Sequence, residues 1–167
     1  QYHCAPMFDE PLPKQADLRK LTARGASFRV HLPVAGFPRL AAAVLEGKGV
    51  VDVDIQFGVN DQKVPYIAGV VQCEAPVICQ RCLEPVSIQF GSDVNLAIVW
   101  NEDQARQLPE TMDPMVLEED ELVDLNEVVE DELLLGVPIV SYHDVGECSG
   151  LQHYESADEA ARHVVKE

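Results

Sequence analysis

Gly49-Val50-Val51-Asp52-Val53-Asp54-Ile55-Gln56-Phe57 is the stretch that decides the fold. Val51, Val53, Ile55 and Phe57 fall on one side of an extended chain, with Asp52, Asp54 and Gln56 on the other. Such period-two alternation marks a strand with one face in a core and one in water. The pattern recurs on both sides of it. Upstream, Phe28, Val30 and Leu32 alternate with Arg29 and His31. Downstream, Asn60-Asp61-Gln62 is a turn signal, and Val64 to Val77 is another extended run, with Pro65 near its start, where a strand tolerates proline. Beyond Cys79-Gln80-Arg81-Cys82, the alternation of Val86, Ile88 and Phe90 with Ser87 and Gln89 carries on through Val94, Leu96, Ile98 and Trp100. Consecutive alternating strands with short links favour an antiparallel sheet.

Helical spacing appears twice. Pro38 suits a first helical turn, Phe37, Leu40, Val44 and Leu45 follow at helical intervals, and Gly47 stops the run, which predicts a helix near 37–46. Asp124-Leu125-Asn126-Glu127 reads as a capping box before a helix over 125–135 that Gly136 and Pro138 end. Its apolar stripe is Leu125, Val128, Val129 and Leu133, which leaves Glu127, Glu130 and Asp131 largely on the solvent side. Residues 101–121 read as a polar, acidic connection broken by a short extended piece, Met115-Val116-Leu117. The fold class expected is α+β: an antiparallel sheet, with barrel-like closure left open, and two or three short helices packed against it. Residues 1–15 read as an extended Pro-containing arm and 16–150 as a single α+β domain. Residues 151–167 read as a polar tail in which Ser156-Ala157-Asp158-Glu159 can cap a short helix. The two ends are expected to be the least ordered parts.

The chain has 167 residues, a formal net charge of −17 and 47% apolar residues, enough for a buried core without disulfides. Nothing approaches the roughly 18 apolar residues of a membrane span. No signal-peptide pattern stands at the start, so a cytoplasmic location is expected, where the five cysteines would be thiols or metal ligands. The charge is unevenly spread. Residues 1–48 carry seven basic and four acidic side chains, +3, and the remaining 119 carry five and 25, −20. Glu102 to Glu132 alone holds thirteen acids against Arg106. A solvated surface is the plain reading of such a run, and contact with a basic partner the functional one. The head offers Arg19, Lys20 and Arg24 as a possible cluster for RNA, but without interleaved aromatics it makes no stacking platform, and the body repels phosphates. Any direct RNA contact is therefore expected to be weak and salt-dependent.

Cys79-x-x-Cys82 is the sharpest local motif. A redox pair needs its first thiol at a helix N-terminus, and here Pro85 and a strand pattern follow instead. A metal knuckle is the second reading: two thiolates in a hairpin turn form half of a tetrahedral zinc site. His143 and Cys148, five apart, are the best second half; Cys73, Cys4, His3 and His153 are weaker. Leu83 stands where knuckles favour glycine. The third reading is two cysteines simply packed at a hairpin corner, with Arg81 exposed. All three stay open. No nucleophile–base or nucleotide-binding motif stands out, so there is no support for an enzyme and no catalytic residue to name.

Val77-Ile78-Cys79-Gln80-Arg81-Cys82-Leu83-Glu84-Pro85, followed by Val128-Val129-Glu130-Asp131-Glu132-Leu133-Leu134-Leu135-Gly136-Val137-Pro138-Ile139-Val140, resembles the YceD family, the bacterial large ribosomal RNA subunit accumulation proteins. The residues that carry the likeness are Cys79, Arg81, Cys82, Pro85, Glu130, Asp131, Glu132 and Pro138, with Asp17-Leu18-Arg19-Lys20-Leu21 and the His143–Cys148 pair fitting the proteobacterial branch. The resemblance covers about residues 11–150. It implies a cytoplasmic, non-enzymatic factor in ribosome biogenesis that supports accumulation of 23S ribosomal RNA. Its expected partners are basic ribosomal proteins or components of the pre-50S particle. Many relatives end in an Asn-Pro-Phe segment and a Leu/Lys-rich tail, both of which this chain lacks. The alternative is a small zinc-binding or thiol-containing protein-interaction module unrelated to RNA.

Overall fold

The computed structural model describes residues 11–144 and 146–148. The element order is α1 (Leu18–Ala23), β1 (Ser27–Pro33), α2 (Pro38–Ala43), β2 (Val50–Val59), β3 (Pro65–Ile78), β4 (Pro85–Val99), α3 (Glu102–Arg106), β5 (Asp113–Val116) and α4 (Leu125–Gly136). Single 3₁₀ turns at Val34–Gly36 and Leu45–Gly47 flank α2. The five strands form one sheet in the order β1-β2-β3-β4-β5. The class is α+β, as the alternation implies. The sheet is open rather than barrel-like: β1 and β5 are its edges and do not pair. β5 is only four residues long and pairs parallel to β4, while helices occupy the inner face that closure would need.

The alternating positions behave as their chemistry demands. Val51, Val53, Ile55 and Phe57 of β2 are buried, and β3 sets Cys73, Val71, Gly69 and Ile67 against them in register. β3 and β4 form the longest ladder, from Tyr66 opposite Ala97 to Ile78 opposite Pro85. Phe28 of β1 meets Phe57 edge to face at 5.7 Å. The turn after β2 closes on Asn60, whose Oδ1 accepts from the backbone N–H of Gln62 and Val64. Gly69 must be glycine: it holds φ +151°, and a Cβ there would lie 2.0 Å from the Asp54 carbonyl oxygen.

α4 lies on the inner face of β3 and β4. Asp124 caps it, Oδ1 accepting from Asn126 N–H. Leu125, Val129 and Leu133 enter the core with Leu18 and Leu21 of α1 and Leu40 of α2. Glu130 departs from the solvent position that its stripe suggests: it is 4% exposed. Its Oε2 accepts from Arg39 N–H (2.9 Å) and Leu40 N–H (3.3 Å), and its Oε1 from Arg39 Nε (2.7 Å). α2 has no side-chain cap of its own, since Phe37 stands at its N-cap, so α4 supplies one. Asp131 holds the same guanidinium at 2.7 Å.

Two further elements differ from the sequence reading. The expected helix near 37–46 ends at Ala43, because Val44 is extended (φ −117°, ψ 166°) before the 3₁₀ turn at 45–47. The connection over 101–121 carries a short helix, capped by Asn101 accepting from Gln104 N–H, and the strand β5, which begins two residues before the extended piece expected at 115–117. Leu12 is buried in the core, and Pro13 C=O accepts from Leu125 N–H, so packing begins before residue 16. The rest of the proline-containing arm, and the tail with its capping sequence at 156–159, lie outside the described residues.

Candidate metal centre

The β3–β4 hairpin turns through Cys79, Gln80, Arg81, Cys82 and Leu83. Cys79 N–H donates to Glu84 C=O (2.9 Å) and Leu83 N–H to Cys79 C=O (2.9 Å). Leu83 takes φ +61°, the left-handed conformation that such a turn needs and that glycine adopts at no steric cost. This reverse turn puts both thiols on the same side of the hairpin tip.

After α4 the chain doubles back along the tip. Ser141 C=O accepts from Gln80 N–H (3.0 Å), and the Tyr142 ring lies under the Arg81 guanidinium at 4.3 Å. This brings His143 and Cys148 to the two turn cysteines. Cys79 Sγ and Cys148 Sγ are 3.8 Å apart, and Cys82 Sγ and His143 Nδ1 are 3.3 Å apart. All four ligand atoms lie within 4.8 Å of one another. Cys79 and Cys148 are buried, while Cys82 and His143 are half-buried. His143 Nε2 lies 3.0 Å from Pro85 C=O. A carbonyl only accepts, so Nε2 carries the proton there, and the lone pair of the neutral ring is at Nδ1, beside Cys82.

The electrostatics favour thiolate at the tip. Burial pushes the Cys79 thiol up, but backbone N–H groups of Cys82, His143 and Arg81, together with the His143 ring, outweigh it and bring the thiol down to about 5. His143 is shifted upward, first by its hydrogen bond to Cys79, with its burial opposing. Three sulfurs and one imidazole nitrogen can hold a metal ion.

The other candidates separate clearly. Cys73 sits in the core opposite Val51 and Phe90, 2% exposed, and burial raises its thiol to about 11, so it is a packing residue. Cys4, His3 and His153 lie outside the described residues. Of the residues named for RNA contact, Arg19 stacks on Trp100 at 4.1 Å, Lys20 lies 3.7 Å from Asp17, and Arg24 follows α1 as its C-cap. Arg29 pairs with Asp54 and Lys48 with Glu46, so much of the basic head is neutralised in place. A hollow of about 430 Å³ lies on the sheet's outer face, where Asp52, Glu74 and Asp93 line it with Gln72, Gln89 and Ser92. Of its carboxylates, Asp52 pairs with the His31 imidazole, and its thiol is the core residue Cys73. Sequence reasoning missed the roles of Pro85, whose carbonyl orients His143, and of Glu130. Both residues stood in the family motif, but nothing in the sequence pointed to the carbonyl of the one or to the burial of the other.

The comparisons bear on these same elements. The family described as "Large ribosomal RNA subunit accumulation protein YceD" matches residues 67–166, which include all four clustered residues. The chain is 33% identical over 137 residues to a protein of Haemophilus influenzae (strain ATCC 51907 / DSM 11121 / KW20 / Rd) that bears that same description, covering 82% of this chain and 79% of that one. No solved structure matches.

Proposed function

The chain belongs to the YceD family, and from that premise we propose that it is a non-enzymatic factor in ribosome biogenesis. On this reading it supports synthesis, processing or accumulation of 23S ribosomal RNA by contacting basic large-subunit ribosomal proteins or assembly factors. The family name ties the chain to large-subunit ribosomal RNA. The observation that carries the protein-contact route is the charge pattern in three dimensions. Glu102, Asp103, Glu110, Asp113 and Glu118 to Glu121 are all exposed around α3, β5 and the approach to α4. The cations Lys20, Arg29, Arg39 and Lys48 are meanwhile paired within the molecule. An acidic surface of this kind complements basic proteins and speeds their encounter, and it repels bare phosphates. Direct RNA contact on this reading is secondary and confined to Arg19, Lys20 and Arg24. None of the described helices is long and apolar enough to cross a membrane, and the reading places the protein in the cytoplasm.

Affinity purification from growing cells, with proteins and RNA both identified, tests the proposal. The expected result is basic large-subunit proteins or a pre-50S particle, retained at low salt, lost at high salt and resistant to ribonuclease. Retention of RNA alone, abolished by ribonuclease, would overturn the protein-contact route; no ribosomal component at low salt would overturn the whole reading. One observation favours the second reading, a zinc-binding interaction module: the convergence of Cys79, Cys82, His143 and Cys148. The two readings are compatible, since a biogenesis factor can also carry a metal.

A further inference from the structure

We propose that Cys79, Cys82, His143 and Cys148 bind one Zn²⁺ as a closed structural site that clasps the segment after α4 onto the β3–β4 turn. This inference rests on the donor set and stands apart from the ribosomal reading.

Two of the ligand separations match the edges of a zinc tetrahedron, and all four ligand atoms lie within 4.8 Å of one another. Zinc–sulfur bonds of about 2.3 Å place two ligand sulfurs about 3.8 Å apart, and a zinc–nitrogen bond of about 2.0 Å places nitrogen and sulfur about 3.5 Å apart. Cys79 and Cys148 are separated by 3.8 Å, and Cys82 and His143 by 3.3 Å. Two buried and two half-buried ligands, all supplied by the chain, complete a Cys₃His set with no position left open for substrate, which is the character of a structural site. The Pro85 carbonyl serves as the outer partner that keeps Nδ1 free to ligate. A disulfide between Cys79 and Cys148 would use two of the four groups and leave the convergence of Cys82 and His143 without a reason.

The second argument is what holds the segment. Among the described residues from Val137 to Cys148, only Cys148 is buried, and Ile139 is fully exposed. Besides the cluster itself, the tethers to the hairpin include the Ser141–Gln80 hydrogen bond, the Arg81–Tyr142 stack and the His143–Pro85 contact. Fixing a backbone costs entropy at every residue, and this stretch has almost no apolar burial to offset it. A metal bound by ligands from both sides of the gap supplies the missing free energy. The β-sheet, in contrast, has its own core and should not depend on the ion.

Three measurements test this. Metal analysis of protein purified under reducing conditions without chelator should find one zinc per chain. Cys73→Ala should keep that stoichiometry, and Cys148→Ser or His143→Ala should lower it or weaken retention against a competing chelator. Cobalt substitution of the wild-type chain should give the strong visible absorption of a tetrahedral thiolate site, a readout that does not require any variant to fold. Hydrogen exchange after chelation should show residues 79–85 and 137–148 losing protection while β2 and the first half of β3 keep theirs. The proposal is overturned if zinc is near absent and cobalt yields no tetrahedral spectrum on reconstitution. It is overturned equally if the Cys148→Ser, His143→Ala double variant retains the metal unchanged. Loss of protection spread evenly across the sheet would overturn the clasp role.

Discussion

The carboxylate of Glu130 shows how much one side chain can decide. It is buried, caps α2 across 91 residues of sequence and holds the Arg39 guanidinium. Glu130→Ala removes the acceptor from two backbone N–H groups and from a charged partner at once. The expected loss is about 2–4 kcal/mol, read as a lower urea midpoint, with Glu130→Gln costing clearly less because one acceptor remains. Glu132 works in the opposite sense. Burial is the first cause that holds its carboxyl above the ordinary glutamate range, with the Ser92 hydroxyl opposing. The folded chain thus binds this proton more tightly than the unfolded one, so the ionised group costs stability at neutral pH, and that cost fades as pH falls through the ordinary carboxylate range. Glu132→Gln should therefore raise the unfolding midpoint at about pH 7 and change it little near pH 4. Leu83 is 71% exposed with φ +61°. Leu83→Gly should be neutral to stabilising, by up to about 1 kcal/mol, since relief of the left-handed strain outweighs the entropy that glycine adds to the unfolded chain. A fall of more than that in a thermal melt would show that Leu83 does packing work in the turn.

At the scale of elements, the seat of α4 on the sheet depends on two glycines in contact. A Cβ on Gly136 would lie 2.5 Å from Gly91 C=O, and one on Gly91 would lie 2.3 Å from Val71 C=O. Alanine is the better helix former, yet Gly136→Ala must lift the end of α4 from β4. We expect a net loss of about 1–3 kcal/mol by calorimetry, against the gain of about 1 kcal/mol that propensity alone would give. The four long alternations were legible in the sequence because each buries one face, and period two then records the fold directly. β5 was legible only as the extended piece at Met115-Val116; its start at Asp113-Pro114 and its parallel pairing were not, because Pro114 and acidic neighbours mask the pattern and the pairing is set by where β4 ends rather than by any local turn. The candidate site was half legible. Cys79 and Cys82 sit in one turn, so their spacing spoke for them. His143 and Cys148 could be named as a pair, but only the return of the chain after α4 shows that they meet the other two. Glu130 was named in the family motif, but its buried capping role was not foreseen, because an acid on an acidic helix reads as solvent-facing until α2 is placed beside it.

For the whole molecule, the net charge of −17 has a cost as well as a use. Crowded carboxylates repel one another, and salt screens them over about 10 Å at 0.1 M. The melting temperature should rise as salt is raised from about 0.02 M to about 0.3 M, while affinity for a basic partner falls over the same range. A melting temperature that drops with salt would mean that the internal pairs outweigh the repulsion. The described residues of the +3 head and the −20 body share one core: Ala16 bridges to Val123, and Leu125 N–H reaches Pro13 C=O. The cap that Glu130 places on α2 also sets an order in time. A polypeptide is made from its N-terminus, so Arg39 and Leu40 leave the ribosome well before their acceptor exists, and the inner face of the sheet waits uncovered beside them. Only when α4 has been synthesised can the early half settle. A chain cut short before Leu125 would thus be released with an open sheet and an uncapped α2, fit for degradation rather than for work.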